Sequence, residues 1–514
     1  MKRPQLVSQG SLNRMIQAAD ECCKRGDLQQ GIEIIERTTR LDPANWRLRL
    51  QLGRAHGFNY DYAAAERCLE QAVRFAPHKT EALAAAGKTS IEFGRPQMAE
   101  GYFRRAVEQR DATAETIARL AALYERTHRM EEAAVLVERA LHLDNACPLA
   151  RLTRAKLHRQ AGRLVEAEQA LRPMLTAADR ESRVLGWYEL GGIYDRQGRY
   201  DEAMTAYLEA KALLLPDAPP LLTQLQPTIR HLQEMQNNIS AELLQRWFDS
   251  GRELQTAHRL AFLGGHPRSG TTLLEQVLDS HPDTVSAAET RVFTDEALVL
   301  LTRGLPQGTP MLAALDGASV KSLGQARERY FHLMELFLDQ PIGDRLLIDK
   351  NPDFQSLIPA FVRFFPEIKL LVAIRDPRDA VLSCFMQPLW PLSTGNATFL
   401  NLEGTVGTYT RVMGIWLTLK PLVKNPFLEV RYEDMVDDLE SVARKTLDFL
   451  GVPWDARVMK FDEHARQKVV RSPTYSDVTK PVYKGAVGRW RNYQKYLEPH
   501  LEKLEPVVKA FGYE

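Results

Sequence analysis

A chain of 514 residues with a formal net charge of +1 has almost no excess of either sign. Bulk electrostatic attraction to nucleic acid or to an anionic membrane is therefore excluded as its working principle, and only local basic pockets remain. Cysteine is scarce too. Cys22, Cys23, Cys68, Cys147 and Cys384 are odd in number and show no C-x-x-C or zinc-ligand spacing. This argues against a disulfide framework and a structural zinc, and for free thiols in a reducing compartment. No run of 18 apolar residues occurs, so no transmembrane helix is expected. The opening MKRPQLVSQGSLNRMIQAADECC has basic residues but no apolar core of the signal-peptide kind, so a cytoplasmic setting is expected. What is present is a globular composition, 44% hydrophobic and 26% charged, in a chain too long for one ordinary core. Two or more domains are expected.

The first 217 residues carry an internal period. A small residue is followed four positions on by a large apolar one and three positions later by alanine: Ala65, Leu69, Ala72; Ala99, Phe103, Ala106; Ala133, Val137, Ala140. The final alanines fall 34 residues apart. After a two-residue slip in the unit holding Ala167 and Leu171, the pattern returns as Ala203, Tyr207, Ala210. The upstream half of each unit agrees, most clearly in Trp187, Leu190, Gly191, Tyr194, Gly198, where a glycine lets a second helix approach closely. Pro43 and Pro77 close two units, since proline stops a helix. The pattern resembles the tetratricopeptide repeat, in about six units over 1–217. Such units share a continuous core by stacking. The resemblance implies an all-α solenoid with a protein or peptide as partner. The proline-rich PDAPPLLTQLQP, 216–227, breaks the period and reads as a linker or brace, followed by a helical stretch near 229–257.

The C-terminal part changes character. RLAFLGG, 259–265, reads as a buried strand, and HPRSGTTLLEQVLDSHP as a loop opening a helix near Thr271. A strand, a glycine turn and a helix N-terminus make an anion site, because free backbone N–H groups and the helix dipole both favour negative charge. Gly265 and Gly270 allow close approach, Ser269, Thr271 and Thr272 add hydroxyls, and Arg268 adds a fixed charge. The G-x-x-x-x-G spacing matches a Walker A loop, but its lysine is missing, which counts against an ATPase or kinase.

P-R-S-G-T-T in this setting resembles the sulfotransferases that use 3′-phosphoadenosine 5′-phosphosulfate (PAPS), and most closely the protein-tyrosine sulfotransferases. The resemblance covers about 258–495. It implies that the loop cradles the 5′-phosphosulfate and that Arg375 and Ser383, in LLVAIRDPRDAVLSCF, bind the 3′-phosphate. It also implies an α/β P-loop-like domain with a central parallel sheet, 258–514, joined through 218–257 to the repeats.

Sulfuryl transfer needs a base near the acceptor hydroxyl and cations near the leaving oxygen, and no metal. Glu289 in DTVSAAETRVF matches the family's catalytic glutamate, with Ala288 replacing the glutamate before it and Arg291 matching an acceptor-holding arginine. His281 is the rival base, although its place in the D-S-H-P turn favours a capping role. Lys350, in RLLIDKNPDF, would neutralise the leaving oxygen; its plainer reading is a pair with Asp349 or Asp353. The resemblance further assigns Ser476 to the sulfuryl group and Tyr432, Lys480 and Arg489 to the cofactor pocket, Arg489 standing where the family has lysine. The acceptor stays open between tyrosine in a peptide or protein and a small molecule or carbohydrate, with the repeats then serving docking or oligomerisation. A non-catalytic scaffold with a relic nucleotide domain is the alternative of another class.

Overall fold

The computed structural model describes residues 9–24, 28–254, 258–306, 308–352, 354–390, 393–466 and 477–514. Residues 1–163 and 164–514 form two compact units.

The first unit is all helix: Gln9–Lys24, Leu28–Leu41, Trp46–Phe58, Tyr62–Phe75, Lys79–Glu92, Pro96–Val107, Ala114–Arg126, Met130–Leu143 and Pro148–Gln160. The residues that mark the period form its interior. Ala65, Leu69, Ala72, Ala99, Ala106, Ala133 and Ala140 are fully buried, with Phe103 and Val137 nearly so. Small residues are required because the helices of a pair approach closely. A Cβ built on Gly87 would lie 2.6 Å from the Phe103 ring, and one on Gly53 2.9 Å from Leu69. Turns between helices are closed by side chains, as where Asp61 accepts from the Ala64 N–H at 2.9 Å and Asn45 from those of Arg47 and Leu48.

The second unit opens with the end of the same period, in the helices Leu164–Leu171, Arg180–Arg196 and Tyr200–Leu214. Ala167, Leu171, Ala203 and Ala210 are again fully buried, and a Cβ on Gly191 would stand 2.7 Å from the Tyr207 ring. Here the period and the packing part company. The period runs to residue 217, whereas the helices from 164 onward are packed with the C-terminal part. Lys211 Nζ donates to the Phe399 carbonyl at 2.7 Å, and the Tyr493 hydroxyl donates to Asp195 at 2.6 Å. The proline-rich stretch is helical rather than an extended linker. It forms the start of the helix Ala218–Asn238, whose first turn holds prolines and which also contains Pro227. Proline is at home in a first turn, where the missing N–H would have no partner. A second helix, Ala241–Ser250, follows behind a Ser240 cap.

The centre of this unit is a parallel sheet of β1 (Leu260–Gly265), β2 (Thr284–Ala288), β3 (Leu346–Lys350), β4 (Lys369–Ile374) and β5 (Phe427–Arg431), in the order β2-β3-β1-β4-β5. β1 and β3 are buried along their whole length, which is why they read as continuous apolar runs. The pairings Ala288↔Lys350, Leu263↔Lys350 and Gly265↔Ala373 bring the C-terminal ends of β1, β2, β3 and β4 to one edge. Ligands of open α/β sheets bind outside such an edge.

Candidate active site

β1 delivers the chain into the turn 266–270, and the helix Thr271–Asp279 begins directly behind it. The turn needs unusual backbone. Gly270 has φ 94° and Gly265 φ 141°, and a Cβ on Gly265 would stand 2.4 Å from the Ala373 carbonyl oxygen. Arg268 holds φ 72° despite its side chain. No side chain caps the helix, so its first N–H groups have no protein acceptor from that source. Ser269 Oγ is buried without a hydrogen-bond partner. A buried hydroxyl and an uncapped helix end around a glycine cradle suit an oxyanion.

The β4 end supplies the second half. Asp376 caps the helix Pro377–Phe385 by accepting from the Arg378 N–H at 2.9 Å. That sets Arg375 and Ser383 on opposite sides of the turn 266–270. Arg268 Nε donates to Ser383 Oγ at 3.0 Å, and Arg375 Nη1 donates to the Arg268 carbonyl at 3.1 Å. Arg375 stacks 4.7 Å over Tyr432, which follows β5 directly, while its Nε is buried without a partner. Enclosure pulls the Arg268 guanidinium down from its ordinary value, yet an arginine remains a cation.

A third group forms where β2 and β3 end. Glu289 takes φ 52°, rare for a residue with a side chain, and its N–H donates to the Lys350 carbonyl at 2.7 Å. Lys350 Nζ then meets Glu289 Oε1 at 2.7 Å and Glu275 at 3.3 Å. Lys350 is 1% exposed and Glu275 3%, whereas Glu289 is 39% exposed. Burial pulls the Lys350 ammonium down, but the two carboxylates outweigh it and hold it above its ordinary value. Burial likewise raises the Glu275 carboxyl, with Lys350 opposing. Asp349 does not pair with Lys350. It accepts from the Tyr330 hydroxyl at 2.8 Å and from Asn351 at 2.6 Å, and burial lifts its carboxyl to about 7. Asp353 lies outside the described residues.

These groups share one cavity of about 350 Å³, lined among others by Arg268, Gly270, Thr271, Thr272, Glu289, Arg375, Ser383, Tyr432, Lys480 and Arg489. Two residues singled out in the sequence stand elsewhere. Arg291 is 75% exposed, ion-paired with Asp295 at 2.6 Å, and does not line the cavity. His281 is buried in its turn, bonded to the Pro453 carbonyl at 2.8 Å and to the Asp283 N–H. Ser476 lies outside the described residues.

Sequence reasoning missed two groups. Glu275 shares the buried stripe of Thr271, Leu274 and Leu278, so a carboxylate on an interior face was its signal. Asp195 gave no signal; it comes from the helix Arg180–Arg196 and pairs with the cavity residue Arg489 at 2.8 Å. Among the described residues no group of three or more His, Cys, Asp or Glu is placed to hold a metal, and no helix is long and apolar enough to cross a membrane.

Fold and site together define an α/β domain built around a phosphate-binding loop. Residues 261–456 match the family described as sulfotransferase, and residues 50–115 and 186–213 match tetratricopeptide repeats. The chain thus carries a sulfotransferase-family domain behind tetratricopeptide repeats. An uncharacterized protein of Aquifex aeolicus is 24% identical over 368 residues, covering 67% of this chain and 44% of that protein. A protein-tyrosine sulfotransferase of Drosophila melanogaster is 27% identical over 318 residues, 57% of this chain and 60% of that protein. The chain therefore spans about half the length of these two relatives. Among solved structures, the sulfotransferase domain of the Synechococcus PCC 7002 olefin synthase aligns at 21% identity and TM-score 0.38, over 51% of this chain and 97% of that one.

Proposed function

We propose that this chain transfers a sulfuryl group from PAPS to an acceptor hydroxyl, and that the acceptor is tyrosine in a peptide or protein. The observation that carries the reading is the convergence of two phosphate subsites and a carboxylate–ammonium pair on one cavity. The fit to PAPS rests on buried polar groups that lack partners. Ser269 Oγ and the uncapped helix start suit the 5′ side, and Arg375, with its unpartnered Nε, and Ser383 suit a 3′-phosphate. Tyr432, Lys480 and Arg489 would hold the rest, with Ser476 assigned by resemblance alone. When bound, PAPS supplies the activated sulfuryl group.

The protein's own contribution is orientation and proton handling. Glu289, the exposed end of the carboxylate–ammonium pair, accepts the acceptor's hydroxyl proton. Lys350 presents a charge at the strand end and offsets negative charge developing nearby. Arg268, locked to Ser383, keeps a guanidinium beside the loop. The repeats offer a surface for a macromolecular acceptor or partner, and the setting is cytoplasmic in this reading. Arg291 favours a second reading. Its pairing with Asp295, away from the cavity, removes the residue that resemblance assigns to peptide acceptors, and a small phenol or a glycan then becomes the substrate.

Two measurements test this. Adenosine 3′,5′-bisphosphate at a hundred times its Kd should stabilise the second unit by about 2.7 kcal/mol, and ATP with magnesium far less. Radiolabelled PAPS offered with tyrosine peptides, phenols and glycans should label the peptides foremost. Equal stabilisation by ATP, or no labelled product in any class, would sink the proposal.

A further inference from the structure

Lys350 has two carboxylate partners, and the reaction proposed above uses only one. Glu289 reaches it from the open side and Glu275 from inside the protein, off the very helix that carries Thr271 and Thr272. Glu275 is itself held. Ser286 Oγ, on β2, donates to its Oε1 at 2.9 Å. One turn further along the helix, Asp279 accepts from the Ser286 N–H at 2.8 Å and pairs with His464 at 2.9 Å. The charged groups around Lys350 are thus Glu275 and, behind it, Asp279 with His464, Glu289 at the end of β2, and Asp349 on its own strand, which is turned to Tyr330.

A buried carboxylate is costly unless it is paired, and this one touches neither the cavity nor solvent. Its value emerges when the protonation of Glu289 changes. As the acceptor's O–H proton moves to a Glu289 oxygen, that carboxyl becomes neutral and stops compensating Lys350. An ammonium 1% exposed would then stand without counter-charge, and burial favours its neutral form. We propose that Glu275 is the positioning residue for Lys350, keeping the ammonium charged and directed at the cavity edge while Glu289 takes up the acceptor proton. The proton count closes: one proton passes from the hydroxyl to Glu289, and Lys350 keeps its three. Because Glu275 sits on the phosphate-loop helix, the donor loop and the cation are also placed by one rigid element.

This inference rests on the sulfuryl-transfer reading for its chemical meaning, but its test does not depend on turnover. In the full chain, Glu275→Gln keeps the side-chain size and an oxygen for Ser286, while Glu275→Asp keeps the charge but draws it back from Lys350. The Lys350 ammonium is followed by 13Cε-lysine NMR against pH, its signal assigned by its loss in Lys350→Arg. Wild type should stay charged to pH 10. Titration should begin at least one pH unit lower in the Gln variant and in between for Asp. The alkaline limb of kcat should move by the same amounts, giving roughly a tenfold loss of kcat at pH 9 in the Gln variant, with affinity for adenosine 3′,5′-bisphosphate within twofold of wild type. An unmoved Lys350 titration, or loss of nucleotide affinity with an unmoved kcat limb, would overturn the assignment and leave Glu275 a packing residue. If the Gln variant fails to fold, the Asp variant decides alone: a wild-type titration there overturns the proposal. A chain with the expected Lys350 titrations but no sulfuryl transfer would refute the functional reading and leave this one standing.

Discussion

Lys211 offers a test of the packing that joins the last period-marked helices to the catalytic part. It lies on the helix Tyr200–Leu214, is 1% exposed, and donates from Nζ to the Phe399 carbonyl at 2.7 Å, with the Gln387 carbonyl at 3.5 Å. The rings of Phe385 and Tyr188 stand 5.0 and 5.4 Å from Nζ. Carbonyls and rings compensate an ammonium only in part. Burial pushes it from its ordinary 10.5 down to about 7, and Cys384 opposes this only weakly. The unfolded chain therefore binds a proton between pH 7 and 10.5 that the folded chain has lost, so raising the pH stabilises the fold. Lys211→Met keeps the stem and deletes the titration. At 1.36 kcal/mol per unit, wild type should gain about 2.5 kcal/mol on the variant between pH 6.5 and 9. The Met variant also leaves the Phe399 carbonyl without its donor, at a cost of about 1–3 kcal/mol that does not vary with pH. The difference between the two pH values, not either absolute value, is then the observable. Urea titrations at both pH values, read by hydrogen exchange of peptides from 200–214 and 260–265, supply it. Parallel curves for the two proteins, within about 0.5 kcal/mol, would show that Lys211 stays charged in the fold and would refute the reasoning.

Two further outcomes follow from the cavity. Glu289→Gln should lower kcat by roughly 10²–10⁴ with little change in nucleotide affinity, and the defect should shrink along a series of increasingly acidic phenols. Near-normal turnover on a weakly acidic hydroxyl would remove Glu289 as the base. Arg375→Ala should weaken PAPS binding by about 2 kcal/mol while scarcely changing affinity for adenosine 5′-phosphosulfate, which has no 3′-phosphate. Calorimetric titration of both ligands measures this, and equal losses would show that Arg375 does not read the 3′ position.

Much of the architecture could be read from local pattern, because local pattern has local causes. A 34-residue spacing of buried alanines needs only helix pairing to explain it, and those alanines are interior in the structure. The strand, turn and helix around Gly265 and Gly270 were legible since glycine marks the few places where φ is positive and a neighbour is close. Arg375 and Ser383 stood out through their spacing on one strand–helix turn.

Partnership across the fold was decided only by tertiary structure. Lys350 read equally well as paired with Asp349, its chain neighbour, but successive strand residues face opposite sides of a sheet. The register of β2, β3 and β1 instead turns it toward Glu289 and Glu275, 61 and 75 positions away. Arg291 lies two residues from Glu289, yet the helical turn that follows directs it to Asp295 and away from the cavity. The sequence period ends at 217, but burial of Lys211 and the pairing of Asp195 with Arg489 place the last helices with the catalytic part. Side-chain type and spacing determine which elements form and which chemistry they carry. Which charges meet depends on strand order and long-range burial, and no window of sequence contains those.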